Sequence, residues 1–169
     1  MKKKPSAKPQ KKKRSVGGPF LQFAALCERV LHDRDNVNSL IRILDVIAVH
    51  GEEEQMPPGA VSFYVVVGFK SGGFKGRKQV TVIAESPNGK TVEMFSTPQE
   101  FIGDEHGTVV FANSHFGVKI PGLYWFHVLL DDAIVSKIPL RIQYRQLPKT
   151  DSHSVVQKQT APEPQKKKK

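Results

Sequence analysis

Residues 121–142 read PGLYWFHVLLDDAIVSKIPLRI, and this stretch indicates the fold more clearly than any other part of the 169-residue chain. Every second side chain from Tyr124 to Leu130 is apolar, Asp131-Asp132 interrupts the pattern, and a second apolar run begins at Ile134. This period of two predicts two strands joined by a two-residue turn with positive φ, which Asp tolerates. Pro139 lacks a backbone donor, so we expect the final strand to be a sheet edge or to bulge there.

The same pattern extends from Phe20 to Arg145, where runs rich in Val, Ile, Phe and Tyr are separated by Gly, Pro, Asn and Asp. Asn88-Gly89 marks a second hairpin turn. About eight strands at this spacing predict an all-β fold, an antiparallel β-sandwich of the immunoglobulin-like type. The predicted strands cover residues 20–31, 39–49, 60–70, 77–86, 91–95, 107–118, 123–130 and 133–145.

Two short segments are ambiguous. Residues 20–31 also fit helical spacing, but the turn signal at 33–36 favours a strand. A small helix is predicted at 98–101, because Thr97 can cap it and Glu100 stands in capping-box register.

Charge is distributed very unevenly along the chain. Residues 1–18 carry eight Lys or Arg and no acid, and residues 148–169 carry six Lys and two acids, so the two ends together contribute +12. Residues 19–147 carry twelve cations and fourteen acids. We therefore predict a disordered basic tail at 1–18, a sandwich domain at 19–147 and a disordered basic tail at 148–169, since Lys-rich and Pro-rich segments bury too little apolar surface to fold.

The basic ends predict contact with nucleic acid or another polyanion, since lysines that neutralise phosphates release condensed counterions. Solvated tails, a nuclear address and an acidic membrane surface are the alternative interpretations. In the Gly-rich loop 70–78, Arg77 and Lys78 would extend the contact onto the folded surface, with Phe74 as an exposed stacking residue. The predicted polyanion-binding residues are Lys2, Lys3, Lys4, Lys11, Lys12, Lys13, Arg14, Arg77, Lys78, Lys166, Lys167, Lys168 and Lys169.

The single cysteine, Cys27, excludes an internal disulfide and is expected to be a small core residue. Met1-Lys2-Lys3-Lys4 is followed by more Lys and Pro instead of an apolar segment, and no apolar run is long enough to span a membrane. These features predict a cytoplasmic protein without a transmembrane segment.

No catalytic residue, metal ligand or cofactor site is predicted, since no nucleophile elbow, zinc-binding helix or phosphate loop occurs. A metal-dependent or hydrolytic enzyme is the alternative hypothesis, and it would use loop acids and histidines. Its candidate residues are Asp33, Asp35, Asp104, Glu105, His106, Ser114, His115, His127, Asp131 and Asp132.

Two resemblances accompany this pattern. The segment Pro121–Val128 with Asp131-Asp132 looks like the closing hairpin of immunoglobulin-like sandwiches, in which the tyrosine bonds back to the backbone. More widely, residues 23–145 resemble an uncharacterised bacterial family of small single-domain sandwich proteins. The matching features are Phe23-Ala24-Ala25-Leu26-Cys27, the run LIRILDVI at 40–47 and the Pro-Gly-x-Tyr-x-Phe hairpin. The resemblance implies a fold and no activity, ligand or catalytic residue.

The sequence thus predicts a non-enzymatic binding or assembly module whose basic tails contact a polyanion. An exposed edge strand that pairs with a protein partner or a second copy is a further hypothesis.

Overall fold

Nine β-strands form from the alternating runs of the sequence, in a computed structural model that describes residues 17–35, 37–104 and 106–148. The strands are β1 (Phe20–His32), β2 (Asn38–Ile43), β3 (Val46–Gly51), β4 (Gly59–Lys70), β5 (Lys75–Glu85), β6 (Thr91–Ile102), β7 (Gly107–Val118), β8 (Gly122–Leu130) and β9 (Ala133–Gln146). Within the described ranges there is no helix, and hence none long and apolar enough to cross a membrane.

The strands form two sheets that pack face to face as a β-sandwich. The first sheet has the order β2-β1-β4-β7, and the second has the order β3-β9-β8-β5-β6. All pairings are antiparallel except that of β3 with β9, which is parallel, so the predicted antiparallel arrangement does not extend to this one pair. The predicted all-β sandwich itself is confirmed.

Aromatic side chains fill the space between the sheets. Phe63 of β4 meets Phe126 of β8 edge to face, with ring centroids 5.4 Å apart, and Phe116 of β7 meets Tyr124 at 5.6 Å. Each such pair stabilises a core by about 0.5–1.5 kcal/mol beyond the burial of its surface. Alternation along β8 produces this arrangement, because Tyr124, Phe126 and Val128 point inward.

The predicted strand 39–49 divides into two strands that belong to different sheets. β2 ends at Ile43 and β3 begins at Val46. Between them Leu44 packs against the core, and its amide donates to the Leu26 carbonyl at 2.8 Å. The apolar run continues through the crossing, so periodicity alone does not reveal it, and the structure has nine strands where eight were predicted.

The predicted helix at 98–101 is wrong, since β6 continues from Thr91 to Ile102. Its last part has a period of two: Thr97, Gln99 and Phe101 are half-buried or buried, and the residues between them are exposed. Phe101 fixes the strand by packing edge to face on Phe69, with centroids 5.9 Å apart. Pro98 is tolerated because β6 is an edge strand.

Both predicted hairpins are present. Asp131 turns the β8–β9 hairpin at φ 51°, and Gly89 turns the β5–β6 hairpin at φ 79°. The expectation from Pro139 is partly correct: β9 lies between β3 and β8, but β3 pairs only with residues 141–146, so Pro139 lies where β9 has a single neighbour.

The architecture is that of immunoglobulin-like sandwiches. The order β9-β8-β5-β6 matches their G-F-C-C′ sheet, and Tyr124 lies near the start of β8, the equivalent of strand F. Its hydroxyl donates to the Ile120 carbonyl at 2.8 Å, which is the corner that the hairpin resemblance predicts.

Candidate binding surfaces

Most of the predicted polyanion-binding residues lie outside the described part of the chain. These are the residues at 2–4, 11–14 and 166–169. Of the two in the folded body, Arg77 is exposed, but the Lys78 amine donates to the Asp131 carboxylate at 2.5 Å. Lys78 is therefore already paired with an acid, and phosphate contact by Arg77 and Lys78 stays a prediction.

The Gly-rich loop around these residues is fixed to the body by hydrogen bonds. Ser71 is fully buried, and both its amide and its hydroxyl donate to the His106 carbonyl, at 2.9 and 3.0 Å. The Gly73 amide donates to the Gly17 carbonyl at 3.3 Å. The prediction of an exposed Phe74 is wrong: its half-buried ring packs on Phe101, with centroids 6.0 Å apart.

The histidines of the enzymatic hypothesis make separate contacts. His106 Nδ1 donates to the Gly103 carbonyl at 3.2 Å, whereas His127 Nε2 lies 2.7 Å from the Glu85 carboxylate. His115 Nδ1 is hydrogen bonded to Ser62 Oγ at 2.7 Å, on the outer face of the first sheet. Among the described residues no group of three or more His, Cys, Asp or Glu side chains could hold a metal ion.

The acidic loops of that hypothesis lie at opposite ends of the sandwich. The β1–β2 turn carries Asp33 and Asp35, and the antiparallel pairings place it opposite the β8–β9 turn with Asp131. Hydrogen bonds from the Lys78 side chain and the Gln79 backbone lower the pKa of Asp131, and Asp104 lies 3.8 Å from the Lys75 amine. These acids therefore do not converge on a shared cation.

The outer face of the first sheet is unusually apolar. Cys27 and Val66 lie outside the core cluster and are still fully buried. Tyr64 is the cross-strand neighbour of Cys27, and the Phe23 ring packs over the adjacent Gly68. Cys27 is buried as predicted, although it lies outside the main core. Burial raises the pKa of its thiol, and a bond to the Arg29 carbonyl partly opposes this shift. Exposed apolar side chains surround the pair, namely Phe20, Leu31, Ile41, Ile43 and Phe111.

A groove of about 680 Å³ runs between the edge strands β6 and β7, where the two sheets face each other without a shared strand. The residues that line it include the apolar Val92, Met94 and Phe116 and the polar Asn113 and His115. The sheet edges are β2 and β7 in the first sheet and β3 and β6 in the second. Pairing of one of these edges with another chain stays a prediction.

The outer face of the second sheet carries a line of cations along β9. Lys137, Arg141 and Arg145 are exposed and alternate with the core residues Ile138, Leu140 and Ile142. We call these three cations the β9 row. Within the described part of the chain no carboxylate lies within 4.0 Å of any of them.

One aromatic side chain stands beside the β9 row. Trp125 of β8 is 36% exposed, and its cross-strand neighbour on β9 is Pro139, which lies between Lys137 and Arg141. On its other side lies Glu85 of β5, whose carboxylate is engaged by His127 at 2.7 Å. On this face the Trp125 indole therefore lies between the β9 row on one side and Glu85, which is already paired with His127, on the other.

The sequence contains the signal for the β9 row. Its three residues are four apart within the predicted strand 133–145, and even spacing places side chains on one face of a strand. The predicted polyanion-binding residues follow the dense lysine runs at the two ends and do not include the β9 row.

Comparisons with known proteins add only distant likenesses. No family model matches the chain, and no curated protein matches it. The bacterial family that residues 23–145 resemble therefore stays a prediction.

Among solved structures, a β-glucosidase from Listeria innocua in complex with glucose is 11% identical with a TM-score of 0.45, over 79% of this chain and 18% of the enzyme. An immunoglobulin-like protein from Pseudomonas aeruginosa is 10% identical with a TM-score of 0.39, over 78% of this chain and 100% of its own. The chain thus spans less than a fifth of the β-glucosidase, and neither likeness carries an argument about function.

Proposed function

We propose that this protein is a non-enzymatic, cytoplasmic binding module that holds a polyanion, with nucleic acid as the leading class. The observation that carries the proposal is the charge of the two terminal segments, and the β9 row adds three exposed cations on the folded body without a carboxylate within 4.0 Å among the described residues. The C-terminal segment after β9 adds Lys149, Lys158 and the four lysines at 166–169. The positive charge of the β9 row is thus followed in sequence by a segment that is also positively charged.

The distribution of charge supports a charge-driven partner over a catalytic role. Fourteen cations stand against two acids in the terminal segments, while the body between them has a small excess of acids. Lysines and arginines that contact phosphates release bound counterions, so the affinity should fall steeply as the salt concentration rises. The single buried cysteine requires no oxidising compartment, which supports the cytoplasmic part of the proposal.

Fluorescence anisotropy of a labelled oligonucleotide, with the full chain across a salt series, tests the proposal. An end-neutral variant replaces the cations at 2–4, 11–14 and 166–169 with Gln. We expect at least about tenfold weaker binding and a shallower dependence on salt, since each lost phosphate contact lowers the slope by about 0.7–0.9.

The matched control changes uncharged residues of the same segments, namely Ser6, Gln10, Gln157, Gln159 and Gln165, to Ala. This control should bind as the unmodified chain does. No binding by the unmodified chain at low salt would refute the proposal, and equal binding by the end-neutral variant would remove the ends from it.

A hydrolase is the second candidate, and one contact favours it. The hydrogen bond between Ser62 and His115 joins a hydroxyl to a base at 2.7 Å, as nucleophilic catalysis requires. Hydrolysis of a nitrophenyl ester that is lost in Ser62→Ala and retained in Ser114→Ala would support this candidate. Equal rates in both variants would refute a nucleophilic role for Ser62.

A further inference from the structure

We infer that the outer face of β8 and β9 is a binding site for single-stranded nucleic acid, with phosphates along the β9 row and an unpaired base on Trp125. The inference rests on the proposed polyanion function and deepens it. It specifies single-stranded nucleic acid as the ligand and identifies the residues of the folded body that would bind it.

The β9 row has a fixed, straight geometry. Residues four apart on a strand are separated by about 13 Å, so the row spans about 26 Å from Lys137 to Arg145. The buried side chains between them, Leu140 above all, anchor the strand in the core. Such a line suits an extended phosphate backbone that runs along the strand.

Trp125 provides the surface on which a base can stack. The strand alternation turns its ring to the solvent, because Tyr124 and Phe126 on either side are buried. Its register with Pro139 places it beside the segment of β9 that begins at Lys137 and ends at Arg141. An aromatic ring flanked by cations is the combination that single-strand binding proteins use, with stacking to the bases and charge to the backbone.

The exposed indole favours a single strand over a duplex. In a duplex the base faces are stacked on one another, so only an unpaired base can stack on a side chain. The nearby acids leave the row accessible: Glu85 is bound by His127, and Asp45 lies more than 4.0 Å from the Arg141 guanidinium although their backbones are hydrogen bonded. The acidic run Glu52–Glu54 adjoins the Arg145 end of the row, since the Glu53 carbonyl accepts from Tyr144 and the Glu52 carbonyl from Gln146. None of its described carboxylates lies within 4.0 Å of the Arg145 guanidinium.

Trp125 is the only tryptophan of the chain, so its fluorescence reports on this face alone. We would titrate the full chain with unlabelled oligothymidylate and oligouridylate, and in parallel with a duplex, heparin and phosphatidylserine vesicles. Stacking predicts quenching by the two single strands, with little change for the duplex and heparin. Response to one single strand and not the other would assign the site to DNA or to RNA and would support the inference.

Three variants of the full chain locate the contact by anisotropy. Arg141→Gln should lower the salt slope for the single strand by about 0.7, the value of one phosphate contact. Trp125→Ala should weaken binding at least about fivefold, which corresponds to the low end of base stacking. Arg29→Gln removes the same charge from the outer face of the first sheet and should change neither quantity.

The outcomes separate this inference from the proposed function. Salt-dependent binding with constant Trp125 fluorescence and an unchanged slope in Arg141→Gln would overturn the inference and leave the polyanion function intact. No binding of any of these polyanions by the unmodified chain at low salt would overturn both. A Trp125 response to phosphatidylserine vesicles without a response to single strands would overturn the inference in favour of a membrane surface. If Trp125→Ala fails to fold, Arg141→Gln and the quenching experiment still decide.

Discussion

The hydroxyl of Tyr124 should stabilise the sandwich measurably, and the three tyrosines of the chain form a natural series to test this. The Tyr124 ring is 2% exposed, and its hydroxyl donates to the Ile120 carbonyl at 2.8 Å. The Tyr144 hydroxyl donates to the Glu53 carbonyl at 2.7 Å in an exposed position. No described residue accepts a hydrogen bond from Tyr64. Each tyrosine is changed to phenylalanine, which keeps the ring and removes only the oxygen.

The expected losses follow from burial. Tyr124→Phe leaves a partly buried carbonyl without its partner, which costs about 1–2 kcal/mol of the free energy of unfolding. Water can replace the bond of Tyr144, so we expect less than about 1 kcal/mol there, and about zero for Tyr64. For a domain of this size, the loss in Tyr124→Phe corresponds to about 3–8 °C in Tm.

Urea denaturation followed by circular dichroism measures the three differences. A lower midpoint with an unchanged slope against urea is the signature of lost stability. The edge-to-face contact of ring 124 with Phe116, at 5.6 Å, should survive the substitution and keep the fold intact. Equal stability of Tyr124→Phe and Tyr64→Phe would refute the reasoning, because the corner bond would then contribute nothing.

Two further predictions concern packing and pH. Gly68→Ala should destabilise the protein by about 1–3 kcal/mol, because its new methyl group would lie 2.2 Å from the Phe23 ring. Gly117→Ala, in the same sheet, meets nothing within 4 Å and should leave the stability in thermal denaturation nearly unchanged. Asp131 has a lowered pKa through Lys78, so its contribution to stability is present above the ordinary value of 3.8 and is lost as the pH falls through the lower folded-state value. Asp131→Asn should therefore lose less stability than the unmodified protein when urea midpoints at pH 7 and about pH 3 are compared, and an equal loss in both would contradict the pairing.

The fold class could be predicted from the sequence because local and global signals agree. The turn residues Asp131-Asp132 and Asn88-Gly89 stand where the hairpins turn, and the alternation around Tyr124 marks one buried face. The strand at 20–31 is predictable for the same reason, since the turn after it permits an antiparallel return.

Other features depend on tertiary contacts that leave little trace in the sequence. The division of residues 39–49 between two sheets occurs inside a continuous apolar run, where periodicity has no feature to mark it. The false helix at 98–101 followed from a capping pattern that the packing of Phe101 overrides. The pairing of Lys78 with Asp131 cannot be predicted from local sequence, because the two residues lie 53 positions apart.

Only part of the candidate site can be predicted from the sequence. The cationic ends are evident from composition, but the β9 row becomes a surface only when β8 places Trp125 beside it. The even spacing of Lys137, Arg141 and Arg145 within the predicted strand 133–145 is the sequence signal for the row.

The passage of the chain from β2 to β3 also makes the two long sides of the sandwich mechanically unequal. On the side of this crossing, the segment 38–51 is hydrogen bonded to β1 through β2 and to β9 through β3. Separating the two sheets there must break the β1–β2 ladder or the β3–β9 ladder. On the opposite side no ladder pairs β6 with β7 among the described residues. The two sheets are therefore tied together along the β2–β3 side, at residues 44–45. Any separation of the sheets wide enough to admit a ligand would begin on the opposite side, between β6 and β7.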